Sequence, residues 1–130
     1  MGQANRKPHG DQDECFSFLV DLTGETNDTT NRLFVLPFDV PYIEGFTVAH
    51  YVAGVGTQNI TYSLTTEAAS PVTVSATLVK ANDGAVPQVG TTALGNRTAI
   101  VQGTVIRLVA DFAASVTSGP ALAVTVRVRR

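Results

Sequence analysis

Two histidines, one cysteine and eleven acidic residues are the groups with which this 130-residue chain could do chemistry. His9 lies close to Asp11, Asp13 and Glu14, a donor set that a divalent cation would accept. The spacing matches no compact metal-binding motif, and Pro8 and Gly10 break the stretch, so no metal ligand is assigned. His50 shares a side with Phe46 and Val48 and reads as a satisfied core or rim histidine rather than a base. Cys15 sits beside Phe16 and is followed by Phe18, the setting of a packed small hydrophobe rather than a nucleophile. As the single cysteine, it excludes an intrachain disulfide. Glu44 and Glu67 are the acids that could meet across a sandwich to hydrolyse a glycoside, and sequence alone does not place them. G-x-S-x-G, the P-loop and G-x-G-x-x-G are all absent. The expectation is therefore no catalytic residue, no cofactor and no enzyme. The triplets at Asn27, Asn59 and Asn96 fit the glycan-acceptor pattern and read as chance in a Thr-rich chain.

The elements that would position these groups are strands. Leu122, Val124, Val126 and Val128 alternate with Ala123, Thr125, Arg127 and Arg129, so a strand runs almost to the last residue. Alternation recurs at Cys15–Leu22, around Phe46–Tyr51, and at Asn59–Thr65 with Tyr62 inward, and Leu33–Phe38 is a short apolar run that Pro37 confines to an edge or a bend. It continues at Val72–Val79, the cleanest mid-chain strand, then at Arg97–Gln102 and Thr104–Phe112. Gly54 and Gly56 mark a turn, Asn82-Asp83-Gly84 marks another, and 84–96 reads as a long loop. The segment at 103–107 and the final strand read as a closing hairpin. About eight short strands with turn signals between them predict an all-β fold, an antiparallel β-sandwich of jelly-roll type. Residues 1–14 are polar and aperiodic and are expected to form an extended N-terminal arm, with the sandwich at 15–130.

Composition narrows the partners. Hydrophobic residues make up 44%, enough for a core, while charged residues are only 15%, against about 25% in ordinary soluble proteins. From Leu33 to Val79 the only charges are Asp39, Glu44 and Glu67. Outward positions there are mostly Thr, Ser, Asn and Gln, which suit a domain whose sides meet neighbours. The net charge of −2 gives no field to attract nucleic acid. Arg127, Arg129 and Arg130 form a local basic cluster that would grip an acidic neighbour or blunt a strand edge. The N-terminal residues lack an apolar core, Arg6 stands where a myristoylation signal needs Ser or Thr, and no apolar run approaches membrane-spanning length. No membrane association is expected, and synthesis in a reducing cytoplasm is.

From about Arg32 onward the chain resembles a module of tailed-bacteriophage virion proteins. The resemblance rests on F-V-L-P-F-D-V-P-Y-I-E-G-F-T-V-A-H-Y-V at 34–52 and V-T-V-S-A-T-L-V-K at 72–80. It continues in G-T-V-I-R-L-V-A-D-F at 103–112 and A-L-A-V-T-V-R-V-R-R at 121–130. It implies a capsid decoration (cement) protein on the capsid exterior of a virion, assembled in the host bacterial cytoplasm. The partners implied are the major capsid protein and other copies of the chain, as a homotrimer or a dimer. Polar contacts would come from Arg6, Lys7, Asp11 and Asp13 in the arm and Arg127, Arg129 and Arg130 at the tail. The same resemblance admits a head-fibre or tail domain that binds a receptor or carbohydrate through loops 53–58 and 82–96.

Overall fold

The computed structural model describes residues 13–35, 39, 42–67, 69–92 and 100–129. Residues 1–12 of the expected arm, with Arg6, Lys7 and Asp11, lie outside the described residues, as do Arg130 and most of the expected strand at 97–102, whereas Asp13 and Glu14, expected in the arm, already belong to the first strand. The described residues form eight strands: β1 (Asp13–Asp21), β2 (Thr29–Val35), β3 (Tyr42–Val52), β4 (Asn59–Thr66), β5 (Leu78–Ala81), β6 (Gln88–Thr91), β7 (Val105–Phe112) and β8 (Ala121–Arg129). They form two four-stranded sheets, β1-β8-β3-β6 and β2-β7-β4-β5. Every pairing is antiparallel, and the pairs β1·β8, β2·β7, β3·β6 and β4·β5 are nested one inside the next. Rolling that nested ribbon adds β3·β8 and β4·β7 and closes the sandwich. This is jelly-roll topology, as the strand count and spacing predict.

Alternation assigns the inner faces. Leu122, Val124, Val126 and Val128 of β8 have no accessible surface, and neither have Ile60, Tyr62 and Leu64 of β4 or Ile106 and Leu108 of β7. Each such aliphatic side chain contributes about 1.5–3 kcal/mol through burial.

Several expectations need correction. The alternating run at 72–79 is not one strand. Val74 N donates to Leu64 O, but Ser75 turns inward and its Oγ accepts from Leu64 N at 3.0 Å, so a side chain replaces a ladder bond. Between the pairings Tyr62↔Leu78 and Thr65↔Thr73 the chain advances three residues on β4 and five on the return, so two residues are extra and the ladder breaks. Ladder pairing resumes as β5. Conversely, β6 forms inside the expected 84–96 loop, which its small and polar residues disguised. β7 and β8 are no hairpin, since they lie in different sheets. Cys15 is exposed, because alternation turns Phe16, Phe18 and Val20 toward the core and therefore turns Cys15 out. Nor is the strand carrying Arg127 an edge, because β8 has β1 on one side and β3 on the other.

Two polar devices sit inside the apolar frame. His50 on β3 is fully buried, and its Nε2 lies 2.8 Å from the Tyr62 hydroxyl on β4, bridging the two sheets. Beside it, Gln88 on β6 clamps Ala81 of β5, donating to its carbonyl at 3.0 Å and accepting from its amide at 3.1 Å. Burial, then the charge of Lys80, lowers the His50 pKa from 6.5 to about 4, and burial raises the Tyr62 phenol well above its ordinary value. The second device is Asn82, also fully buried. Its Nδ2 donates to Gly56 O at 3.0 Å and Ser118 O at 3.1 Å, while its backbone bonds Gln58 O and Gly54 N. One side chain thus ties the 53–58, 82–87 and 113–120 loops together. Gly54 is required there because a Cβ would run into the Asn82 amide.

Asn82→Ala is expected to cost about 2 kcal/mol by chemical denaturation, since it strands buried loop carbonyls. The His50 contribution is full above pH 6.5, because below that pH the unfolded chain takes up a proton that the folded chain refuses until about pH 4. Stability is therefore lost as pH falls from 6.5 toward 4. Between pH 7 and 4.5 the wild type should lose about 2–3 kcal/mol more than His50→Gln in parallel urea titrations.

Candidate functional site

The middle of the outer face of the β1-β8-β3-β6 sheet carries two rows that cross all four strands, with Asp21 on one side of them and Arg127 on the other. Register places Ser17, Thr125, Thr47 and Thr91 side by side in one row and Leu19, Ala123, Ala49 and Val89 in the next. None of the eight is charged. The hydroxyls are already joined in pairs, with Ser17 Oγ 3.0 Å from Thr125 Oγ1 and Thr47 Oγ1 2.8 Å from Thr91 Oγ1. Leu19 is 60% exposed and Val89 57%, so the second row offers apolar surface to a partner. Tyr51, half-exposed on β3, continues the face.

The other outer face differs. β7 and the end of β4 carry Arg107 and Glu67, an ion pair at 3.3 Å, and Arg107 Nε donates to Thr65 Oγ1. Asp111 is exposed on the same strand. Partial desolvation, and next the Asp28 carboxylate, hold it above the usual carboxylate range. Asp28 in turn accepts from Phe112 N at 2.8 Å. Covering this face would require desolvating several charges.

Those sequence-predicted partner residues that are described, Asp13, Arg127 and Arg129, lie at one end of this sheet. Asp13 opens β1 directly opposite Arg129 of β8, and Cys15 stands opposite Arg127. Asp13, expected in the arm, and Arg127 and Arg129 of the tail, far apart in the chain, thus lie on adjacent strands in register. Arg127 is partly committed within the fold. Its guanidinium lies over Gly45 of β3, and Nη2 donates to Thr92 O at 2.9 Å. A side chain at Gly45 would occupy that space. Arg127 Nε is buried with no partner among the described residues. Glu44 on β3 and Glu67 after β4 belong to opposite sheets, and Glu67 is engaged by Arg107.

The loops at the Asn82 end border two shallow depressions. One, of about 310 Å³, is lined by Thr57, Gln58, Asn59, Ala81, Asp83 and Ala113. The other, of about 300 Å³, is lined by Asn27, Asp28, Phe112, Ala114 and Ser115. Thr57 Oγ1 donates to Asp83 Oδ2 at 3.2 Å and Ser115 Oγ to Asn27 Oδ1 at 2.6 Å, so much of their polarity is spent internally. Phe112, which lines the second, is 4% exposed, and Tyr51 lines neither. Among the described residues no three His, Cys, Asp or Glu side chains gather as a metal site.

Sequence reading noticed the Thr-rich outward positions but not the rows. Rows depend on which strands become neighbours, and the whole β6 contribution, Val89 and Thr91, came from an expected loop.

No family model matches the chain, and no curated protein sequence matches it. Similar solved structures are sandwiches of distant sequence. A protein of Bacillus endospore appendages, a family of disulfide-linked pili, is 10% identical with a TM-score of 0.47, over 95% of this chain and 96% of that one. An infectious bursal disease virus (Gx strain) chain is 12% identical with a TM-score of 0.44, over 92% of this chain and 33% of that one. A turnip yellow mosaic virus chain is 11% identical with a TM-score of 0.41, over 92% and 93%.

Proposed function

We propose that this protein is a non-enzymatic structural subunit that packs against protein neighbours through the outer face of the β1-β8-β3-β6 sheet. The specific reading is a capsid decoration protein of a tailed phage, bound to the major capsid protein on the capsid exterior. The observation that carries the proposal is the pair of uncharged rows, Ser17-Thr125-Thr47-Thr91 beside Leu19-Ala123-Ala49-Val89, whose hydroxyls are already joined in pairs. Covering these rows removes apolar surface from water without stranding a charge, and leaves one hydroxyl proton per pair for the partner to accept. The register of Asp13 beside Arg129 supports the arm and tail as a second, polar contact at the end of that face. The resemblance to phage virion modules supplies the capsid as the partner.

Co-sedimentation with undecorated capsids of a tailed phage tests this reading, and saturable binding at a fixed ratio to lattice sites is expected. Ala49→Glu places a charge in the middle of the face while leaving the core untouched. It should weaken capsid binding by at least about tenfold, since an unpaired charge would be desolvated. Capsid affinity unchanged by this substitution would move the contact off this face. Deleting residues 1–12, which leaves β1 whole, should weaken binding with little change in melting temperature. Full affinity after the deletion would remove the arm from the mechanism.

A further inference from the structure

The four edge strands of the sandwich are not equally protected. β6 has four residues and is entered through Pro87, β5 has four and carries Lys80, and β2 is broken by a register shift between Asn31 and Leu33. Short length, lysine, proline and bulges are the usual means of blunting an edge. β1 has none of them. It runs nine residues in unbroken register with β8, and Cys15-Phe16-Ser17-Phe18-Leu19-Val20 contains no charge, glycine or proline.

The direction of its backbone groups follows from one bond. Leu22 N donates to Pro120 O at 3.0 Å, so Leu22 faces β8. Antiparallel alternation then turns Val20, Phe18 and Phe16 toward β8 and turns the amides and carbonyls of Cys15, Ser17, Leu19 and Asp21 outward. The 3.0 Å contact between the Ser17 and Thr125 hydroxyls agrees, because side chains approach most closely in the pairs without mutual hydrogen bonds. Among the described residues no strand pairs with this outward edge.

We infer that β1 is a self-association edge, pairing antiparallel with β1 of a second copy about a two-fold axis at Phe18. The occupant is set by how the strand complements itself. With the axis at Ser17, Asp13 would stand opposite Asp21 of the other copy, an acidic clash at both ends. With the axis at Phe18, Cys15 faces Asp21 and Ser17 faces Leu19, and no acid faces an acid. The outward groups of all four residues then pair. Phe16 and Phe18, half-buried at the margin of the core, meet Val20 and Phe18 of the other copy and complete their cover. The two sheets fuse into one of eight strands, doubling the uncharged face. The pairing stands whether or not a capsid is the partner of that face.

Sedimentation velocity on the purified chain from about 1 to 100 μM should show a reversible dimer. The native Cys15 reports the register. In Asp21→Cys the two thiols fall opposite each other in a hydrogen-bonded pair, about 5.5 Å between Cα atoms and within disulfide reach, so oxidation should give a covalent dimer linked from Cys15 to position 21. Leu19→Cys, which would cross-link with the axis at Ser17, should link poorly. Ser17→Pro removes an outward amide without touching the β8 ladder and should weaken dimerisation about tenfold or more. Leu19→Lys, which sets like charges across the axis, should do the same if the proline variant fails to fold. A monomer across the whole range overturns the proposal. So does preferential cross-linking through Leu19→Cys, and so does an oligomer indifferent to both edge substitutions. Because no capsid is present, failure here leaves the capsid reading standing, and failure of capsid binding leaves this pairing standing.

Discussion

Nine consecutive residues of β8 are held by β1 on one side and by β3 on the other. Everything else in the sandwich leans on that double pairing. β1 has no other strand partner among the described residues, and the inner faces of β4 and β7 have Leu122, Val124, Val126 and Val128 to pack against. The contact is also the most expensive to form, since it joins the two ends of the chain and closes a loop of more than a hundred residues. The nested order of pairs eases that cost. The short β4·β5 return brings β3 and β6 near, which brings β2 and β7 near, and β1·β8 comes last. A chain organised in this way is expected to fold slowly for its size, because most of its contacts are long-range.

Polar groups inside the sandwich sit where strands alone would not hold it. Where β5 and β6 pass from one sheet to the other, backbone pairing cannot bridge the gap, and the Gln88–Ala81 clamp and the His50–Tyr62 bond do so instead. At the loop end, Asn82 supplies to three loops the hydrogen bonds that a ladder would otherwise provide. Both arrangements need a neighbour to be small or satisfied. Gly54 yields its side-chain volume to Asn82, as Gly45 does to Arg127.

Strand faces were legible in the sequence wherever the alternation of apolar residues survives in the structure. β4, β7 and β8 lie where the pattern puts them, and His50 and Tyr62 are buried as their positions imply. The pattern misled where one side chain outweighed it. At 72–77 the Ser75 hydroxyl competes with the ladder, and alternation cannot report a competitor that acts through a partner strand. At Gln88–Thr91 the residues that pair are Val, Gly and Thr among turn formers, and only the β3 edge makes a strand of them. Cys15 shows the opposite failure. Its aromatic neighbours suggested a packed thiol, yet in a strand neighbours in sequence point to opposite faces, so Phe16 inward means Cys15 outward. The candidate surface was half visible, since composition reveals uncharged outward residues but strand order decides which of them adjoin.

The two outer faces set the direction in which such a sandwich can associate. A hydroxyl buried without a partner costs roughly 1–3 kcal/mol, so a Thr-rich face is ordinarily a poor one to cover. Here Ser17 with Thr125, and Thr47 with Thr91, have made their bonds before any partner arrives. What remains to be covered is one hydroxyl proton from each pair, the threonine methyl groups and the Leu19-to-Val89 row, and transfer of the apolar part from water is favourable. The opposite sheet has the reverse balance. Its Arg107–Glu67 pair is partly solvated and contributes little where it stands, and burying it would cost more than the pair returns. The fold therefore has one face that loses little by being covered and one that is better left in water. An edge at β1 that can extend the first face without turning the second inward gives an assembly a single preferred plane in which to grow.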